Sequence, residues 1–303
     1  MSGFWLGVAA YSLWGLFPLY WKLVEHVPAL QIIGHRIVWS FIALAIVAAA
    51  RFRREAVSKL DRRTFAIYAI AAVLISINSF LYVYAVNSGF VLETSLGYFI
   101  TPLVSVLLGV MVLRERLRPL QWCAVALAAV GVLQLTFGYG SLPRIAIGLA
   151  LSFGSYGLVK KKAPLDSLAG LTLETGMAVI PAAAFLIAAN ANGHGAFAHS
   201  GLTTDLLLIG GGPVTVVPLL LFASAARRIT LTTIGLLQYI APTIQFFLGV
   251  FLYGEPFAGT RLIGFVIVWT ACVLFSIDGL RARIRVPHAS VLATDRGTQS
   301  SQR

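Results

Sequence analysis

Two charged residues sit where an apolar chain tolerates them least. Arg36 lies about two turns inside one long apolar run, beside His35, and Glu174 lies as deep inside another. Two turns is about 10 Å at 1.5 Å per residue, a long way for a glutamate to reach back to water. An ionised side chain in hydrocarbon is costly and marks a functional position by default. Glu93 falls in a third run at the depth of Arg36. Arg36 and Glu93 are expected either to touch or to share a site for an anionic substrate; the alternative is an ion pair that only holds structure. Glu93 and Glu174 are also the candidates for exchanging a proton.

Prolines supply the second kind of chemistry. Pro102 and Pro242 each lie inside an apolar run, and each removes a backbone donor and frees the carbonyl four residues earlier. Those carbonyls belong to Tyr98 and Gln238, whose side chains are polar as well. Paired breaks near the middle of a bilayer point to a binding cavity, with a simple packing kink as the other reading. Asn78 and Tyr82 share one helix face at i, i+4 spacing. They are expected to hydrogen-bond a substrate or to bind neighbouring helices together. Tyr11 and Trp14 precede Pro18 in the first run and are candidates to face the cavity. Glu115 and Glu255 stand at run ends, where a structural role at the corner is expected.

The elements that carry these residues follow from composition. The 303-residue chain is 58% hydrophobic and 11% charged, against about 25% charged in an ordinary soluble domain. Its uncharged runs reach the length of about 18 residues that spans hydrocarbon, and they lack the alternation of barrel strands. The chain therefore reads as an all-α membrane protein. Ten helices are expected, over Phe4–Lys22, Ala29–Ala50, Phe65–Val86, Val91–Leu113, Leu120–Phe137, Arg144–Val159, Leu168–Ala189, Thr204–Ala225, Leu231–Tyr253 and Thr260–Ile277. The basic residues cluster in alternate loops, around Arg51–Arg63, Arg114–Arg118, Lys160–Lys162 and Arg227–Arg228, and in the tail. By the positive-inside rule those loops are cytoplasmic, and ten spans place both termini there. On that orientation Arg36 lies in the outer third of the membrane and Glu174 in the inner third, so the two are not expected to pair.

The same punctuation occurs twice. Pro102, Gly109 and Glu115 recur at an offset of 140 residues as Pro242, Gly249 and Glu255. Two halves of five helices each enter the membrane from opposite sides, which is the inverted repeat of many secondary transporters. The expected organisation is residues 1–138, residues 139–280 as the inverted second half, and a disordered cytoplasmic tail over 281–303.

The formal charge of +12 is spread over loops rather than gathered into a face, which argues against a nucleic-acid partner. Cys123 and Cys272 lie inside apolar runs and read as small core residues. Asp166, Asp205 and Asp278 fall near helix ends, where capping or solvation is expected. No phosphate-binding loop, H-E-x-x-H or G-x-S-x-G pattern is present, and His194 and His199 make poor metal ligands in their Gly-rich loop. No cofactor, no metal and no enzymatic activity are expected; the partners are a small-molecule substrate and the lipid bilayer, and the chain is expected to be a monomer or homodimer.

Four segments carry a family resemblance: AAYSLWGLFPLYWKLVEHVPALQIIGHRIVWSF (Ala9–Phe41), YVYAVNSGFVLETSLGYFITPLVSVLLGVMVLRERLRPLQW (Tyr82–Trp122), SFGSYGLVKKK (Ser152–Lys162) and IGLLQYIAPTIQFFLGVFLYGE (Ile234–Glu255). They resemble the RarD permeases of the EamA branch of the drug/metabolite transporter superfamily. The resemblance implies ten helices in paired repeats, an inner-membrane location and export of small metabolites or drugs, with a link to chloramphenicol. A membrane scaffold or regulatory protein that moves nothing is the alternative.

Overall fold

The computed structural model describes residues 2–50, 61–88, 90–137, 142–254 and 259–285. Its elements are helices α1 (Gly3–Trp21), α2 (Ala29–Ala50), α3 (Arg62–Asn87), α4 (Val91–Leu113), α5 (Pro119–Phe137), α6 (Arg144–Lys162), α7 (Ser167–Ala191) and α8 (Leu202–Ala226). The element α9 follows in segments Leu231–Leu237 and Ile240–Phe247, running into a π-helical turn at Leu248–Leu252, and α10 covers Gly259–Arg285. Among the described residues no strand occurs, and seven helices are long and apolar enough to cross a membrane. Their outer surfaces are apolar too: Phe137 is 80% exposed and Phe251 is 78% exposed. Such surface is stable against lipid tails and unstable in water. The protein is a multi-pass membrane protein.

Two of the extensions beyond the expected helix ends change the reading. α6 continues to Lys162, which places Lys160 inside the helix rather than in a loop. α10 continues to Arg285, into the stretch expected as tail; residues 286–303 lie outside the described residues.

The chain divides into two compact units. One comprises Met1–Glu115 and Tyr139–Phe257, the other Arg116–Gly138 and Ala258–Arg303. The smaller unit is α5 packed along α10. A β-carbon at Gly131 would lie 3.2 Å from the carbonyl oxygen of Gly264, so these glycines set a close crossing. Arg118 Nε meets Asp278 Oδ2 at 3.0 Å, so Asp278 forms an ion pair rather than a cap. Cys123 is exposed on α5, not in a core; an apolar helix that meets lipid offers a small residue no reason to turn inward.

In the larger unit α2 packs on α7 and α8, α1 on α8 and α9, and α4 on α6 and α9. The tightest crossing is α2 on α8, where a β-carbon at Gly212 would stand 2.4 Å from the carbonyl carbon of Trp39. Ser40 Oγ bonds across it to the Gly212 carbonyl at 3.1 Å. Backbone cannot yield as a side-chain tip does. Gly212→Ala is expected to lower stability by about 2 kcal/mol through overpacking, read as a lower unfolding midpoint of the purified protein in detergent.

Helix ends follow local chemistry. Asp166 caps α7, accepting from Leu168 N at 2.9 Å and Ala169 N at 3.0 Å. Asp61 accepts from Thr64 N at 2.7 Å, and this bonding holds its carboxyl below the ordinary range. Asp205 accepts from Ala198 N at 2.9 Å. α4 closes with Arg114 in the left-handed region at φ 55°, and the π-helical turn after α9 closes with Gly254 at φ 63°. Those two positions are 140 apart in the sequence.

The corner after α4 gives the Gly109–Glu115 spacing a physical content. Glu115 N bonds back to Gly109 O at 3.0 Å. The Glu115 carboxylate then accepts from Leu231 N at 2.6 Å, Thr232 N at 2.9 Å and Thr232 Oγ1 at 2.7 Å, capping α9. A β-carbon at position 109 would lie 2.7 Å from Glu115 Oε2, so glycine makes the room. Glu255 lies outside the described residues.

Candidate functional site

One of the two prolines coincides with a break in its helix. α9 is interrupted at Gln238 and Tyr239, the position whose carbonyl Pro242 frees. α4 runs unbroken through Pro102, with Thr101 Oγ1 bonded to Gly97 O at 2.6 Å. Where the two elements meet, Gly235 lets α9 approach until a β-carbon there would be 2.7 Å from the Pro102 carbonyl oxygen. Buried Gln238 accepts from Ser105 Oγ at 3.3 Å. Tyr239 Oη donates to Phe99 O at 3.3 Å, and the two rings lie 6.3 Å apart. Phe99 and Tyr239 are 140 residues apart, which is the offset of the repeat.

A small cavity of about 60 Å³ lies among α2, α3, α7 and α8. Arg36, Ser40, Ser76, Ser79, Glu174 and Thr215 are among its lining residues. Arg36 and Glu174 thus line one cavity, and among the described residues they form no ion pair with each other.

Glu174 has its own partner. Lys160 Nζ donates to Glu174 Oε2 at 2.8 Å, and each side chain is only 3% exposed. The ammonium lies 5.4 Å from the centre of the Tyr68 ring and 5.6 Å from that of Tyr156. Lys160 was expected in a cytoplasmic loop; the extension of α6 puts it in the interior instead. A cluster of three lysines reads as a topology signal, and the only hint in the sequence was a lone glutamate in the facing helix that needed a cation. Lys161 binds the carbonyls of Ala226 and Ile229, at 3.3 and 2.5 Å, and Arg227 binds that of Leu165. These bonds tie the ends of α6, α7 and α8 together.

Among the described side chains Arg36 has no such carboxylate. Among the described residues the ion pairs are Arg118–Asp278 and Lys160–Glu174. Its guanidinium lies 5.9 Å from the Trp21 ring centre and within electrostatic reach of Tyr82 and Tyr98. The rings of Tyr82 and Tyr98 are 6.4 Å apart. The side chain of Glu93 lies outside the described residues.

Asn78 faces α6, donating to Leu149 O and to Ser152 Oγ, each at 3.0 Å. Both amide hydrogens are thereby used between helices. Tyr11 and Trp14 pack into an aromatic cluster with Phe153, Tyr156 and Phe222. A larger groove of about 520 Å³ over α1 and α8 is lined by Leu13, Leu16, Phe17 and other apolar residues together with Tyr20, whose hydroxyl donates to Leu207 O at 2.6 Å. Among the described residues no group of His, Cys, Asp and Glu could hold a metal.

Comparison with known proteins adds a family. The sequence profile of the EamA-like transporter family matches residues 1–137 and again 144–277. The chain is 47% identical to "Uncharacterized transporter YojE" of Bacillus subtilis (strain 168), over 90% of this chain and 92% of that one. It is 44% identical to "Protein RarD" of Streptomyces exfoliatus, over 97% and 96%. It is 29% identical to "Chloramphenicol-sensitive protein RarD" of Pseudomonas aeruginosa, over 92% and 95%. A solved structure described as "Crystal structure of protein" superposes with a TM-score of 0.70 at 17% identity, covering 92% of this chain and 98% of that one, a likeness of fold alone.

Proposed function

Because the chain belongs to the EamA-like transporter family, we propose that it is a secondary transporter that moves small metabolites or drugs across the inner membrane by alternating access. In this reading ten transmembrane helices form two inverted halves, residues 1–138 and 139–280, with both termini in the cytoplasm, in a monomer or homodimer. The observation that carries it is the Phe99–Tyr239 contact: residues at equivalent positions touch each other, as they do at a two-fold axis. The left-handed corners at Arg114 and Gly254 and the double match of the family profile support the same symmetry. Two halves that can exchange conformations open a shared site to either side in turn. No nucleotide-binding motif lies in the sequence, so the driving force is an ion gradient or the substrate's own, with Glu174 and Glu93 as the carboxylates available to carry a proton.

The scaffold reading draws on the size of the polar cavity, about 60 Å³, which is room for roughly two waters. Flux decides between them. The purified protein in proteoliposomes is expected to give saturable uptake of at least one member of a metabolite panel that includes chloramphenicol, measured with and without a pH gradient. A panel that moves no faster than in protein-free vesicles refutes transport, and labelling that places the two termini on opposite sides refutes the inverted halves.

A further inference from the structure

We propose that the Arg36 cavity is a subsite for a monocarboxylate, whose carboxylate sits on the guanidinium while a flat apolar body lies toward Trp21, Tyr82 and Tyr98. This names a substrate class for the transporter reading and rests on that reading for its physiological sense.

Charge is the first argument. Among the described residues, three ionic groups meet at or beside this cavity: Arg36, Glu174 and the Lys160 that pairs with Glu174 at 2.8 Å. The pair cancels, and the lining keeps one positive charge. His35, next in the chain, is turned away and stacks on Phe197 with centroids 5.1 Å apart. Tyr68 and Tyr156 face the Lys160 ammonium and are neutral phenols. A partly buried cation inside a membrane protein is costly without a counter-anion, and the aromatic faces around it return only part of that cost. A ligand with one negative charge completes the balance. A doubly charged phosphate would overshoot it.

Hydrogen bonding is the second argument. The guanidinium is a planar fork that fits two carboxylate oxygens. Ser40, Thr175 and Thr215 already spend their hydroxyl protons on the carbonyls of Gly212, Leu171 and Gly211. Ser76 and Ser79 carry no hydrogen bond to the protein among the described residues, so their donors remain to join the guanidinium. Size is the third argument. About 60 Å³ holds the head of a carboxylic acid and little else, so the rest of the molecule must extend from the cavity. Beside Arg36 lies aromatic surface, Trp21 at 5.9 Å and the Tyr82–Tyr98 pair.

The test is calorimetric titration of the full chain in lipid nanodiscs with benzoate, its neutral isostere benzamide, and inorganic phosphate. Benzoate is expected to bind at least tenfold more tightly than the other two. Arg36→Gln is expected to bring benzoate down to the level of benzamide and leave benzamide unchanged, and Arg36→Lys to keep part of the difference. Equal binding of benzoate and benzamide by the unaltered chain overturns the proposal, and this comparison needs no variant to fold. So does tighter binding of phosphate, or benzoate binding that survives Arg36→Gln. Silence toward benzoate that Glu93→Gln relieves would show the cation neutralised from within, and overturns it as well. Binding is read here without movement. Benzoate selectivity with a silent flux panel keeps the subsite and refutes the transporter, whereas flux without benzoate selectivity does the reverse.

Discussion

Lys160→Met and Glu174→Met, made singly, are each expected to destabilise the protein by about 3–5 kcal/mol, and the double substitution to regain most of that loss. Both side chains are 3% exposed and meet at 2.8 Å. Removing one leaves the other without compensation in a medium that solvates it poorly. Removing both trades an ion pair for thioethers of similar length, which is often neutral or better. The measurement is a double-mutant cycle on unfolding in mixed micelles, with monodisperse yield after detergent extraction as a first reading. Mild single variants would mean that water reaches the pair. A double variant as unstable as the singles would mean that Tyr68 and Tyr156 depend on the charges. If the double variant folds and binds lipid normally but loses flux, the pair has a part in transport beyond stability.

Glu115→Ala is expected to cost about 3 kcal/mol and to loosen the start of α9. One carboxylate there accepts three hydrogen bonds, from Leu231 N, Thr232 N and Thr232 Oγ1. Bonds to a charged acceptor are worth about 1.5–3 kcal/mol each, though not additively. Alanine leaves two backbone donors at a helix N-terminus facing nothing, and removes a negative charge from the positive end of the helix dipole. Glu115→Gln retains one oxygen and is expected to lose about half as much. Unfolding midpoints of the two variants, compared with the parent, check the order. An unchanged midpoint in Glu115→Ala would show that water satisfies those donors equally well.

The sequence disclosed what depends on neighbours along the chain. Pro242 implied a freed carbonyl at Gln238, and α9 breaks there. The corner role of Glu115 was legible because Gly109 and Glu115 recur together, although its hydrogen-bond partner at the head of α9 was not. What depends on helices crossing was hidden. Lys160 was assigned to a loop because lysines in a row look like a topology signal, and its destination became visible only once α6 ran past Val159. Asn78 could equally have faced a substrate or a neighbour, since i, i+4 spacing fixes a face and not what the face meets; it meets α6.

The interruption in α9 has no twin in α4, although both carry their proline at the same place. A molecule with a true dyad would idle equally in its two mirror conformations. In the transporter reading proposed above, one half has already spent its bend and the other has not, so the two resting populations are expected to be unequal. On that reading, the side from which cargo is first admitted would be a property of the polypeptide itself, set by which of its two matched rods is snapped while the other stays whole.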